Sequence, residues 1–126
     1  MIGYVTVGTN QFEAAATFYD TLFASIGGKR MMAFDSFIAW TVSPTQAGFS
    51  IAKPFDGKPA TIGNGCMTAF AMATPAQVDA FYAKARELGA TDEGAPGPRG
   101  DSGFYAGYFR DLDGNKLNAF CMTPAA

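Results

Sequence analysis

The chain writes the same order of elements twice, and that repeat constrains its fold more than any single residue does. A β-branched run at residues 2–7 reads as a strand. Asn10 followed by Glu13 has the form of a helix N-cap with its capping-box partner. Apolar residues then recur at helical spacing, at Phe12, Ala15, Tyr19, Leu22, Phe23 and Ile26, until Gly27-Gly28 stops them. Three short strands are expected next, at residues 30–34, 37–42 and 48–53. A Pro/Gly-rich stretch over residues 54–65 reads as a linker.

The order then starts again. Residues 66–72 form a strand pattern, and Thr74-Pro75-Ala76-Gln77 combines an N-cap, a proline at the first helical position and a capping-box Gln. Val78, Phe81, Ala85 and Leu88 make the second helical stripe, and Gly89 ends it. Strands are expected at residues 90–93, 104–110 and 116–121, the last two joined by the turn Asp111-Leu112-Asp113-Gly114. Spacing supports a duplication. Phe18-Tyr19 begins 14 residues after Tyr4, and Phe81-Tyr82 begins 14 residues after Met67. The run from Trp40 to Ser50 superposes on that from Tyr108 to Asn118 at a shift of 68. The expectation is an α+β domain spanning residues 1–126, with one βαβββ module over 1–53 and a second over 66–126. Curved mixed sheets would surround a cup, with the helices on the convex side.

Strand alternation assigns the faces. Val5, Val7, Phe49, Ile51, Phe70, Met72, Leu117 and Ala119 should lie under the helices, with Trp40 in the core beside Ile38 and Val42. One residue out of phase, Tyr4, Ser50, Met67 and Asn118 should line the concave side, with Thr6, Ala69 and Lys116. A hairpin closed by Asp111–Gly114 would set Gly107 opposite Asn118, Phe109 opposite Lys116 and Tyr105 opposite Phe120, adding these pairs to the lining. Aromatic, small and polar side chains mixed on a concave surface suit a ligand site better than a dry core. The same parity puts Cys66 and Cys121 on the helix-covered face as buried thiols.

Several functions fall away on composition. There is no histidine, so the commonest general acid/base and the commonest transition-metal ligand are both missing. Neither Ser nor Cys then has a histidine to activate it as a nucleophile. A net charge of −2 with scattered Lys and Arg offers no footprint for nucleic acid. No apolar run approaches a bilayer span, and the start at Met1-Ile2-Gly3-Tyr4 lacks the basic and apolar regions of a signal peptide. Two cysteines fit a reducing compartment, so a cytoplasmic location is expected.

The longest irregular segment of the second half, residues 94–103, is expected to be a loop that could close over the cup, with Arg99 meeting an anionic group. The plainer alternative is a surface loop with a solvated arginine. Tyr4 and Tyr105 are candidates to hydrogen-bond a ligand carbonyl, and Asn118 could do the same. Asp111 and Asp113 belong to a turn, where carboxylates usually bond to nearby backbone.

Phe18-Tyr19, the run Val78-Asp79-Ala80-Phe81-Tyr82 and the stretch Phe109-Arg110-Asp111-Leu112-Asp113-Gly114-Asn115-Lys116-Leu117 carry a resemblance to the vicinal-oxygen-chelate superfamily. That superfamily includes glyoxalase I, bleomycin-resistance proteins and extradiol dioxygenases, and the resemblance covers essentially the whole chain. The last stretch resembles the family's hydrophobic-x-D-P-D-G-N-x-hydrophobic hairpin, with Leu112 in place of the usual proline. The resemblance implies one metal ligand on the first and last strand of each module, at Tyr4, Ser50, Met67 and Asn118. The family's metalloenzymes carry His, Glu or sometimes Gln there, and none of the four positions here holds any of these. Thioether, neutral hydroxyl and carboxamide are poor partners for a hard divalent ion, so no metal and no cofactor is expected.

Two functions stay open. One is a glyoxalase/bleomycin-resistance-like protein with a degenerate metal site, binding a small organic molecule through Tyr4, Ser50, Met67, Arg99, Tyr105, Phe109, Asn118 and Phe120. The other is a lyase or isomerase of the glyoxalase type, or a dioxygenase-like enzyme, with atypical ligands or none. A purely structural, partner-binding role through dimerisation is a further possibility. The resemblance also implies a homodimer.

Overall fold

In the computed structural model, which describes residues 1–123, both halves of the chain build a four-stranded mixed sheet that carries one helix. The chain divides into two units, Met1–Asn64 and Gly65–Ala126. The first contains β1 (Tyr4–Gly8), α1 (Phe12–Ala24), β2 (Lys29–Phe34), β3 (Phe37–Thr41) and β4 (Gly48–Ala52). Its strand order is β1-β4-β3-β2. The second contains β5 (Thr68–Ala71), α2 (Pro75–Glu87), β6 (Thr91–Pro98), β7 (Phe104–Arg110) and β8 (Lys116–Met122), in the order β5-β8-β7-β6. In each unit the first strand runs parallel to the last, and the remaining pairs are antiparallel. The expected α+β arrangement of two βαβββ modules is the one observed, with both sheets open rather than closed.

The first unit is held by aromatic packing under α1. Tyr19 is fully buried, and its ring meets those of Phe23, Trp40 and Phe49 at centroid distances of 5.4, 5.6 and 4.9 Å. Trp40, as expected, is core, and its indole N–H donates to Asp20 Oδ1 at 2.8 Å. Asp20 also accepts two bonds from Arg30 of β2, at 2.9 and 2.8 Å. The Arg30 hydrogen bonds beside Asp20 hold its carboxyl below the usual carboxylate range.

The expected cap of α1 is corrected. Gln11 is the N-cap residue, and no side chain caps it. Asn10 instead clasps residue 60, donating to the Ala60 carbonyl at 3.0 Å and accepting from its N–H at 2.7 Å. That pair of hydrogen bonds ties the Pro/Gly-rich stretch back to the unit, and Gly8 permits it, because a Cβ there would sit 2.8 Å from Ala60 Cβ. The cap of α2 agrees with expectation. Thr74 accepts from Gln77 N–H at 3.2 Å, Gln77 accepts from Ala73 N–H at 2.8 Å, and Pro75 opens the helix.

Val78, Phe81 and Ala85 are the buried residues of α2, which packs onto β7, β8 and β6. Phe81 meets Phe70 and Phe109 at 5.5 and 6.2 Å between centroids. Two tyrosine hydroxyls fasten helix to sheet: Tyr82 donates to Asp92 and Tyr105 donates to Asp79, each at 2.6 Å.

Three expectations about this unit are corrected. The β7–β8 register pairs Tyr108 with Asn118, Phe109 with Leu117 and Tyr105 with Cys121, one residue away from the expected pairing. The cause is the turn, which includes Asn115: Asp111 N–H donates to the Asn115 carbonyl at 3.0 Å, and Arg110 pairs with Lys116. The uniform shift of 68 therefore fails inside the hairpin. Asn118 stands 68 residues after Ser50, but its partner Tyr108 stands 69 after Ala39, the partner of Ser50. A one-residue slip exchanges the faces of a strand, so Tyr105 and Phe109 lie on the helix side.

The first half of the expected loop at 94–103 is strand, because β6 runs on to Pro98 with irregularities at Asp92/Gly94 and Gly94/Gly97. Its prolines are tolerated because β6 is an edge strand. Pro96 lies against Gly107, where a Cβ would be 2.8 Å from the proline ring. Cys121 is buried as expected, but Cys66 is exposed, since β5 starts two residues after it.

Two measurements check this account. Phe109→Ala should cost about 3–5 kcal/mol in urea unfolding, whereas Phe120→Ala, on the open side, should cost clearly less. For Asp20 the sign follows from its lowered folded pKa: the stabilisation is complete above the unfolded value near 3.8 and is lost as pH falls through the folded value. Both partners are about two-fifths exposed, so solvent screening keeps the contribution at about 0.5 kcal/mol or less. Asp20→Asn should therefore lower the urea midpoint slightly at about pH 7, and the difference should shrink progressively as the pH falls below about 3.8.

Candidate functional site

The expected site residues belong to the side of each sheet turned away from its helix, with the exceptions the register imposes. In the first unit Tyr4 pairs with Gly48 and Thr6 with Ser50 across the parallel β1–β4 ladder, so all four share the open side. Tyr4 is 60% exposed and meets Phe37 edge-on at 6.1 Å. Ser50 is fully buried. Its hydroxyl donates to the Val5 carbonyl at 2.8 Å, leaving the Thr6 hydroxyl, 2.7 Å away, as donor to Ser50 Oγ. Ser50 thus braces two parallel strands with the atom the resemblance assigns to a metal.

In the second unit Met67 precedes β5 and is 45% exposed. Asn118 pairs with Ala69 on one side and Tyr108 on the other. It is 1% exposed, and its Oδ1 has no hydrogen-bond partner. Such an acceptor normally carries a desolvation cost of about 1–3 kcal/mol, which a hydrogen-bond donor would offset.

Tyr108 occupies the centre of this open side, and sequence reasoning missed it because of the register slip. Arg99 Cζ lies 5.5 Å and Lys116 Nζ 5.7 Å from its ring centroid, both within cation–π range. The Arg99 guanidinium is held by carbonyls of its own hairpin, with Nη2 donating to Ala95 at 2.8 Å and Nη1 to Gly97 at 2.9 Å. Gly94 and Gly97 make room for it, since a Cβ at either would be 3.3 Å from a guanidinium nitrogen. Arg99 therefore lies along the hairpin rather than reaching out on a closing loop.

Farther along the same side, Phe120 pairs with Ala106, and its ring stacks on Phe104 at 5.6 Å. Tyr105 and Phe109 are not among these residues. Tyr105 is engaged with Asp79, which raises its hydroxyl pKa above 10.0. Phe109 is fully buried under α2. Asp111 works locally, as expected: its Oδ1 accepts from the N–H groups of Asp113 and Asn115, both at 2.9 Å, and its Oδ2 from the Asn115 carboxamide at 3.0 Å.

The chain matches the model of the Glyoxalase/Bleomycin resistance protein/Dioxygenase superfamily over residues 1–119. It belongs to this superfamily. Among solved structures it is similar to a glyoxalase/bleomycin resistance protein from Albidiferax ferrireducens T118, with 39% identity, a TM-score of 0.88, and coverage of 98% of this chain and 99% of that one. A glyoxalase-related enzyme from Fulvimarina pelagi shares the fold at 17% identity, TM-score 0.76, covering 96% of this chain and 87% of that one. So does the fosfomycin resistance protein FosX from Listeria monocytogenes, at 14% identity, TM-score 0.72, covering 98% and 93% respectively. No curated protein matches the chain.

Within the superfamily, the donor set of this member does not fit a hard divalent metal. Ser50 spends its hydroxyl inside the sheet, Met67 offers a soft thioether, and Asn118 offers one neutral oxygen. Among the described residues, no group of three or more His, Cys, Asp or Glu side chains could hold a metal ion.

The unpartnered Oδ1 yields a stability test. Asn118→Leu should be neutral or stabilising in urea unfolding, because it removes an unsatisfied acceptor at similar volume. A loss of about 1–3 kcal/mol would mean that the carboxamide is satisfied in the free protein.

Proposed function

We propose that this superfamily member binds a small organic molecule through residue side chains alone, with a degenerate metal site in place of the family's metal chemistry. The observation that carries this reading is Asn118, a buried acceptor without a partner at a position where the resemblance calls for a metal ligand. A carboxamide there can orient a ligand by a hydrogen bond but adds no charge to hold a cation. The internal bonding of Ser50 supports the same reading, because a ligand or metal at its hydroxyl would have to displace a bond that braces β1 on β4. The mixture on the second unit's open side, with aromatic rings, small residues and a few fixed polar groups, is the usual make-up of a small-molecule site.

Untagged protein should carry substoichiometric Ni, Zn, Mn and Fe by elemental analysis, and adding these ions should leave its melting temperature unchanged. A thermal-shift panel of small organic molecules in the presence of a chelator should find stabilisers, since a ligand that binds only the folded state raises its stability. Stoichiometric metal whose removal abolishes ligand binding would overturn the reading.

A further inference from the structure

The open side of the second sheet is graded along its strands. At one end Arg110 pairs with Lys116, and Arg110 is already neutralised by Glu93. Next come Tyr108 and Asn118, with Arg99 and Lys116 over the Tyr108 ring. Beyond them lie Ala106 and Phe120, and then the Phe104 ring stacked on Phe120. Positive charge, a neutral acceptor and an aromatic surface therefore follow one another over three successive cross-strand pairs.

Neither Arg99 nor Lys116 makes an ion pair among the described residues. Glu93 is committed to Arg110 and Asp111 to the amides of its turn. Two uncompensated cations beside one ring invite an anion. Arg99 is also held in place by the Ala95 and Gly97 carbonyls, which lowers the ordering cost of binding. The Asn118 Oδ1 makes a different demand. It accepts only, so the ligand must bring an O–H or N–H. Since directly opposed side chains in an antiparallel pair lie about 5 Å apart at Cβ, that donor must sit close to the acid group.

Resting on the reading of the site as a metal-free binding surface, we infer that its ligand class is an aryl hydroxy acid: a carboxylate, a hydroxyl on a neighbouring carbon and an aromatic tail. The carboxylate meets Arg99 and Lys116, the hydroxyl donates to Asn118 Oδ1, and the aromatic tail lies against Phe104 and Phe120.

Four probes separate these contributions on the full chain: 3-phenyllactate, 3-phenylpropionate without the hydroxyl, 3-phenyllactamide without the charge, and lactate without the ring. Titration calorimetry should rank 3-phenyllactate first, with each of the other three weaker by about tenfold or more, the worth of one good polar contact or of the buried ring. Amide resonances of Ala106, Tyr108 and Asn118 should shift on titration. Asn118→Leu should erase the preference for 3-phenyllactate over 3-phenylpropionate and keep the preference over the amide. Arg99→Gln with Lys116→Gln should do the reverse, and these changes at half-buried positions provide a test even if the Asn118 variant fails to fold.

Equal binding of 3-phenyllactate and 3-phenylpropionate by the unaltered protein would overturn the inference, as would equal binding of acid and amide. If neutral organic molecules bind this face and no hydroxy acid does, the inference fails and the metal-free reading stands. If binding of any probe requires an added metal ion, the metal-free reading itself fails.

Discussion

The faces of the second sheet depend on one carboxylate. Asp111 collects two N–H groups on Oδ1 and the Asn115 carboxamide on Oδ2, and its own N–H closes the turn onto the Asn115 carbonyl. Those bonds make the turn one residue longer than a bare Asp-x-Asp-Gly count implies. The extra residue decides which side chains of β7 see the helix and which see the opposite side. Phe109 and Tyr105 go under α2, while Tyr108 emerges beside Asn118. Every chemical feature of the candidate site follows from that choice, because a sheet has no intermediate setting between its two faces.

The two units solve the same packing problem with different means. The first buries a cluster of rings under α1 and anchors its rim with Asp20, which serves an indole and a guanidinium at once. The second has fewer rings in its core and uses two tyrosine–aspartate bonds to fasten the helix. In both of these pairs the tyrosine pKa is raised. Burial leads for Tyr82, ahead of the Asp92 bond, and the Asp79 bond leads for Tyr105. Each therefore stays a protonated donor at neutral pH, which suits a fastening and removes Tyr105 from acid–base work.

Element order, both helical stripes and the cap of α2 were legible in the sequence, because each rests on local chemistry: periodicity, a threonine before a proline, a glycine after the last turn. The face of Trp40 and of the parallel pairs was legible for the same reason. Tyr108 was not, since its face depends on a turn whose length is set by side-chain bonds rather than by residue type. Asn10 shows a similar limit. Its carboxamide had a local partner available in the helix start, yet a backbone group 50 residues away takes it. Residues 94–98 looked irregular because proline and glycine usually interrupt strands, and only the edge position of β6 makes them acceptable there.

Those prolines have a consequence for the rim of the second sheet. The outermost strand of an open sheet is a template on which further chains can add by main-chain bonding. Pro96 and Pro98 have no N–H to offer, and the irregularities flanking Gly94 break the even spacing that an incoming strand would need. Seating Pro96 against Gly107 pins this interrupted rim flat onto its neighbour. On that side the sheet ends at four strands, with little ladder left for a fifth to read.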